Sequence, residues 1–380
     1  MRAHWTVLPI LLALGACGRE EAAAPAATTA ASATPPAAEE PVLNVYNWSD
    51  YVAPDTIANF EKETGIKVVY DVYDSNEILE AKLIAGSSGY DVVFPSARPF
   101  GERQIKAGLY EALDRAQMPN WKNLDPAVLA AQVDADPGNA HLVPYLWGST
   151  GLGYNVDAVK QRLGDVPVDS WSILFDPANA AKLADCGIAI LDDEQEGYGA
   201  ALIWQGKVPH EPGPAQTEAV TKAYAGIAPY IRYFNSSKYI DDLANGEICL
   251  AMGYSGDVLQ ARDRAEEAKN GVEVAFVIPK EGALRAIDNA AIPKDAPHPR
   301  NAHKFLDYLM RPEVIAAITN SVGYPNANFA ATPLVDEKIR TDPAVYPAPE
   351  VVAKLVEART VPEEESRERV RAWTRIKTGQ

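Results

Sequence analysis

The chain has 380 residues, 47% of them hydrophobic and 23% charged, which is too long for one compact core and ordinary for a soluble protein of two domains. Its 35 Lys and Arg stand against 52 Asp and Glu, a net charge of −17 that argues against a phosphate-tracking nucleic-acid binder and suits a cationic partner. Many soluble proteins are acidic merely to stay in solution, so the sign is a hint only.

In chain order, the first feature is a targeting segment. Arg2 and His4 precede an apolar run from Trp5 to Ala16, short of the roughly 20 residues needed to span a bilayer. Residues 1–17 therefore read as a signal peptide. The run ends Leu14-Gly15-Ala16-Cys17, which resembles a bacterial lipobox, whose cysteine is lipidated and becomes the first residue of the mature chain. Ordinary cleavage with Cys17 incidental is the other reading. Residues 18–41 are nearly all Ala, Pro, Thr, Ser and Glu, a composition with no face to bury, and are expected to be a disordered tether. Residues 1–41 hold two arginines and four glutamates, so the remainder keeps a charge of −15. It also keeps Cys186 and Cys249, and export allows a disulfide between them.

From Leu43 the pattern alternates. Leu43 to Trp48 reads as a strand, a helix opens near Pro54 with Ile57 and Phe60 on one face, and Gly65 closes it. Ile66 to Val72 is a β-branched run, Ser75 can cap a helix carrying Leu79 and Leu83, and Tyr90 to Phe94 is a buried strand stopped by Pro95. Later, Gly187 to Leu191 and Ile248 to Met252 look like strands, and Val258 to Lys269 and Ala302 to Met310 like helices. The whole is an α/β protein with parallel-rich sheets.

Open sheets of this kind bind ligands beyond the carboxyl ends of their strands. Here those ends read Asn47-Trp48-Ser49-Asp50-Tyr51, Pro95-Ser96, Leu191-Asp192-Asp193 and Gly253-Tyr254-Ser255-Gly256-Asp257. Carboxylates, hydroxyls and rings together suit an alkyl-ammonium ligand: acids pair its charge, hydroxyls accept its N–H donors, and rings cover its methylenes. Singly, Trp48 or Tyr254 reads as packing, and Asp50 or Asp257 as a helix cap.

Enzyme chemistry finds little support. His4, His141, His210, His298 and His303 form no close metal-ligand pair, and no metal or cofactor is expected. Gly253-Tyr254-Ser255-Gly256 is one residue too tight for a nucleophile elbow. Gly148 to Gly153 lacks the lysine of a phosphate loop and reads as a turn or hinge strand. The adjacent acids Asp192-Asp193 and Asp241-Asp242 read as solvated or capping residues.

Several blocks carry a resemblance in one order along residues 42–380: Val45-Tyr46-Asn47-Trp48-Ser49-Asp50-Tyr51, Phe60-Glu61-Lys62-Glu63-Thr64-Gly65, Gly151-Leu152-Gly153-Tyr154-Asn155, Tyr239-Ile240-Asp241-Asp242-Leu243 and Arg371-Ala372-Trp373. Together they resemble the periplasmic putrescine and spermidine receptors of bacterial ABC transporters. The resemblance implies a type II periplasmic binding protein, two α/β lobes closing by hinge bending on a ligand between them. Residues 42–145 with 269–324 would form one lobe, and 146–268 with 325–380 the other. It also implies a monomer, lipid-anchored in the periplasm, that delivers a polyamine to an inner-membrane ABC permease and its ATPase. A sensor read by a membrane receptor is the alternative.

By the same resemblance, Trp48 and Tyr51 flank the polyamine, and Ser49 and Ser96 offer oxygens. Asp50, Glu196, Asp257 and Asp288 take its ammonium groups, and Tyr324 closes the wall. Two positions depart from the putrescine receptors: Tyr254 stands in place of Trp, and Ala286 in place of Phe. The lost ring either leaves room for a longer or bulkier amine such as spermidine, cadaverine or agmatine, or is refilled by a neighbour such as Arg285. Arg285 is expected to point outward, since an inward arginine would oppose a cation.

Overall fold

The computed structural model describes residues 39–379; the expected signal peptide, Cys17 and the expected tether up to residue 38 lie outside them. Glu39 already belongs to the folded unit. Its carboxylate accepts the backbone N–H groups of Arg300 and Asn301 at 3.0 and 2.9 Å, at the start of the Pro299–Leu309 helix. Burial opposes its ionisation, but these donors at a helix N-terminus prevail and lower its carboxyl below the usual range.

Strands β1 (Val42–Trp48), β2 (Lys67–Tyr73) and β3 (Val92–Val93) are parallel, with β1 in the middle, and are joined by the Thr56–Thr64 and Asn76–Ile84 helices. The predicted β-α-β-α-β unit is present. Gly65 ends its first helix at φ 72°, with its N–H on the Glu61 carbonyl, and the Ser75 hydroxyl accepts the Ile78 N–H at the start of the second. The first helix begins at Thr56, after a turn through Pro54 and Asp55, rather than at the proline.

The chain continues with β4 (Leu142–Asn155), β5 (Ile188–Ile190), β6 (Ile231–Phe234), β7 (Leu250–Tyr254), β8 (Val274–Val277), β9 (Ala283–Ala291) and β10 (Leu355–Glu357). Their order is β2-β1-β3-β9-β4-β7-β5-β6, with β8 added on β4 and β10 on β9. Parallel pairing holds around β1 and around β5, whereas the strands between them are antiparallel. β4 joins the two regions: its first half pairs β9, from Leu142↔Ala291 to Ser149↔Arg285, and its second pairs β7, from Thr150↔Tyr254 to Tyr154↔Leu250.

Each region has its own apolar core. The first gathers Leu43, Phe60, Phe94, Phe305 and Ile318; the second gathers Trp171, Phe175, Ile190, Tyr224 and Trp373. Two parts of the expected lobe division shift. Val274, Ala283 and Leu284, placed by sequence in the first lobe, pack in the second core, because β8 pairs the far half of β4 and the chain recrosses only along β9. Ala331, Ile339 and Val345, placed in the second lobe, pack in the first core, since Pro325 and Asn326 pair with Trp147 and Leu146. The third crossing comes between Tyr346 and β10.

Cys186 and Cys249 are disulfide-bonded, with their Cα atoms 5.5 Å apart and a sequence separation of 63. They tie the approach to β5 to the approach to β7. Among the described residues, no helix is long and apolar enough to cross a membrane. Closing a loop of that length restricts the unfolded chain by about 4 kcal/mol in the chain-entropy account. Replacing both cysteines by alanine should lower the guanidinium-unfolding free energy by a comparable amount; a loss below about 1 kcal/mol would contradict that role.

Candidate binding site

The strand ends of both lobes converge on one cavity of about 80 Å³. Trp48, Ser49, Tyr51 and Ser96 reach it from the ends of β1 and β3, and Asp288 from β9. Asp193, Glu196, Tyr254 and Asp257 reach it from the ends of β5 and β7. Tyr324 spans the two sides: it packs in the first core and donates its hydroxyl to Asp257 Oδ1 at 2.7 Å. The ring needs glycine beneath it. A Cβ added at Gly256 would lie 2.2 Å from the Tyr324 ring, and one at Gly148 would lie 2.7 Å away.

Hydroxyl groups answer each acid. Asp288 accepts from Tyr51 at 2.7 Å and from Ser96 at 2.6 Å. Asp257 accepts from Tyr239 and Tyr324, both at 2.7 Å. Glu196 accepts the Thr150 hydroxyl, and Asp193 accepts Tyr254 at 3.1 Å while capping the Glu194–Trp204 helix through the Glu196 N–H. Among the described residues none of these four carboxylates forms an ion pair. Hydroxyls satisfy some lone pairs but neutralise no charge.

Desolvation accordingly raises all four. It pushes Glu196 to about 8, with Asp193 adding like-charge repulsion and Thr150 opposing. Asp257 and Asp288 rise to about 6, each held back by its two hydroxyl donors. Asp193 is raised by its burial, against its hydrogen bonds to Glu196 and Tyr254. Beside the cavity, burial and then the facing Asp193 push Glu77 to about 8. A cation entering this space meets acids that gain by ionising.

The sequence-derived residues Trp48, Ser49, Tyr51, Ser96, Glu196, Tyr254, Asp257, Ala286, Asp288 and Tyr324 all line this one cavity. Asp50 does not. It lies exposed at φ 52° and pairs with Arg264 at 3.1 Å, outside the lining, because the left-handed turn after Trp48 swings it outward. Arg285, expected to point away, instead lines the cavity, with its charge held by Glu357 at 2.6 Å. Sequence reasoning missed Thr150, Tyr239 and Asn76, and set Asp193 aside as solvated or capping after noting it at a ligand-facing strand end. The strand-end position singled out Asp193 in sequence, whereas Tyr239 acts through Asp257 from within a helix and left no such signal. Asn76 donates to the Ser96 hydroxyl and accepts its N–H, fixing the serine that holds Asp288.

Among the described residues, no histidine lines this cavity. His141 and His298 bond Asp136 and Asp91, each at 3.0 Å, and His303 bonds the Pro299 carbonyl. Among the described residues no three His, Cys, Asp or Glu side chains are grouped to hold a metal.

Residues 55–348 match the model of the bacterial extracellular solute-binding proteins. The chain belongs to that family. It is 54% identical over 343 residues to the putrescine-binding periplasmic protein SpuD of Pseudomonas aeruginosa, covering 90% of this chain and 93% of that one. In structure it is similar to the spermidine/putrescine ABC transporter substrate-binding protein PotD of Streptococcus pneumoniae. There the TM-score is 0.71 and the identity 25%, covering 89% of this chain and 98% of the other. It is also similar to the TpPotD lipoprotein of Treponema pallidum, with a TM-score of 0.73, 25% identity and coverage of 89% and 99%. The fold is the two-lobe type II periplasmic binding protein.

The raised acids give this solute-binding protein a testable cost. Glu196 keeps its proton up to about 8 when folded and loses it near 4.5 when unfolded, so between those values the folded state binds more protons. Its contribution to stability therefore falls as pH rises through that window. Glu196→Gln, which can still accept from Thr150, should melt higher than the parent in the absence of ligand, and the gap should widen from about pH 5 to pH 8. A gap independent of pH would contradict the assigned shift.

Proposed function

We propose that this protein is an extracytoplasmic receptor that captures a polyamine between its lobes and hands it to an inner-membrane ABC permease and its ATPase. The observation that carries this reading is the set of four desolvated carboxylates, Asp193, Glu196, Asp257 and Asp288, in one aromatic-walled cavity with no ion pair among the described residues. A flexible dication supplies two charges joined by methylenes, and Trp48, Tyr51, Tyr254 and Tyr324 offer ring surface for both parts. The hydroxyls already on the acids leave lone pairs free for ammonium N–H donors. The putrescine-binding and spermidine/putrescine relatives support the same ligand class.

The Leu14-Gly15-Ala16-Cys17 pattern and the lipoprotein relative support anchoring through Cys17. Closure is the form a permease would read. Tyr324 to Asp257 and Asp50 to Arg264 are contacts already made in this structure.

Calorimetric titration of a soluble fragment starting at residue 39, refolded to remove carried-through amines, should show tight binding of putrescine or a close relative among cadaverine, spermidine, spermine and agmatine. Heat from none of them would overturn the reading. Asp288→Asn and Asp257→Asn should each weaken that binding by more than roughly tenfold, since each deletes a buried counter-charge. Unchanged affinity in both would remove them from the site. Affinity should also fall as pH is lowered from about 8 to 5, because protons then compete with the cation for Glu196, Asp257 and Asp288. Flat pH dependence would mean that the ligand's charges are met elsewhere.

A further inference from the structure

One wall of the cavity has the opposite sign to the rest. Among the described residues, Arg98 and Arg285 are the only basic side chains in the lining, beside Pro99, Phe100, Ala286 and Ala358. Both are held by one carboxylate: Glu357 accepts from Arg98 at 3.0 Å and from Arg285 at 2.6 Å. The backbone builds this arrangement. Glu357 lies directly opposite Arg285 in the parallel β9–β10 ladder, and Arg98 follows Ser96 by two residues in the segment bridged to Asp288. Other acids near Arg98 are weak partners. Glu102 is 4.0 Å from it and also pairs Lys106, while Asp134 is 3.8 Å away with 90% of its side chain exposed, where solvent screens it.

Two guanidinium groups thus share one carboxylate, and the wall keeps positive charge where the rest of the cavity is acidic. Its position gives that charge a consequence. An ammonium held on Asp288 has Ser96 beside it, and two residues on from each lie Ala286 and Arg98. The small Ala286 side chain leaves room at this end, but the room leads to cations. A ligand that ends at Asp288 stays clear of them, whereas one extended past it by an aminopropyl unit would bring a third ammonium against two arginines.

We infer that Arg98 and Arg285, tied together by Glu357, form an electrostatic end-stop that selects amines with two charges over amines with three. The inference rests on the polyamine reading above and adds what that reading leaves open, the charge count of the ligand. It reverses the expectation that Ala286 alone opens the site to longer polyamines.

The test compares putrescine, spermidine and N-propylputrescine, which has nearly the length of spermidine without the third nitrogen, on the parent and two variants by calorimetric titration. The parent should bind putrescine tighter than spermidine, and N-propylputrescine tighter than spermidine, because charge rather than length is refused. Arg98→Met should raise the spermidine-to-putrescine affinity ratio by at least about tenfold. Glu357→Gln, which removes the only full negative charge shared by the arginines, should move the same ratio the other way. Opposite movement in two variants cannot come from general loosening of the fold. Equal affinity of the parent for putrescine and spermidine, or a ratio unmoved in both variants, would overturn the end-stop while leaving the polyamine reading intact. Failure of the parent to bind any of the three would instead defeat that reading.

Discussion

Acids placed where water cannot fully reach them are the constraint on which this structure turns. A carboxylate leaving water must be paired, hydrogen-bonded or protonated, and Asp193, Glu196, Asp257 and Asp288 are hydrogen-bonded but not paired. The cavity is therefore unfavourable when it is both empty and ionised. Entry of a dication would relieve several desolvated charges at once, which makes the same residues a burden to the folded chain and a source of affinity. Stability and binding trade against each other at these positions.

The scaffold converts that local requirement into a two-sided site. Parallel sheets point their strand ends the same way, so each lobe offers a cluster of polar side chains at one edge, and β4 and β9 hold the two edges face to face. Those strands do more than connect. β4 supplies Thr150 to Glu196 and leaves Gly148 clear for the Tyr324 ring, while β9 supplies both Asp288 and Arg285. Acid and arginine three residues apart on one strand give the cavity a polarity along its length. Hinge, counter-charge and wall are thus parts of the same two strands.

Local rules made the first lobe legible. Gly65 and Ser75 mark helix boundaries by chemistry that acts within a few residues, and strand ends rich in Trp, Ser, Asp and Tyr point to the cavity before any three-dimensional contact is known. The crossing strands were harder, because β4 and β9 change partners midway and neither shows the alternation of a one-sided sheet. This is also why the lobe boundaries moved: pairing of β8 with β4, and of Asn326 with Leu146, is set across long sequence distances. Asp50 was misplaced by a single backbone angle that residue type does not announce, since neighbouring Ser49 and Tyr51 do face the cavity. Arg285 was misplaced because its neutralising partner, Glu357, arrives from a strand 72 residues away.

The central claim is that the cavity is built around charges the ligand must supply, and a crystal structure with putrescine bound tests it most directly. The account expects one ammonium nitrogen within about 2.7–3.2 Å of the Asp288 carboxylate and the other within the same reach of Glu196, Asp193 or Asp257, with the methylenes between the rings of Trp48 and Tyr254. A diamine seated with neither nitrogen on these carboxylates, or bound outside the cavity near Asp50, would contradict it.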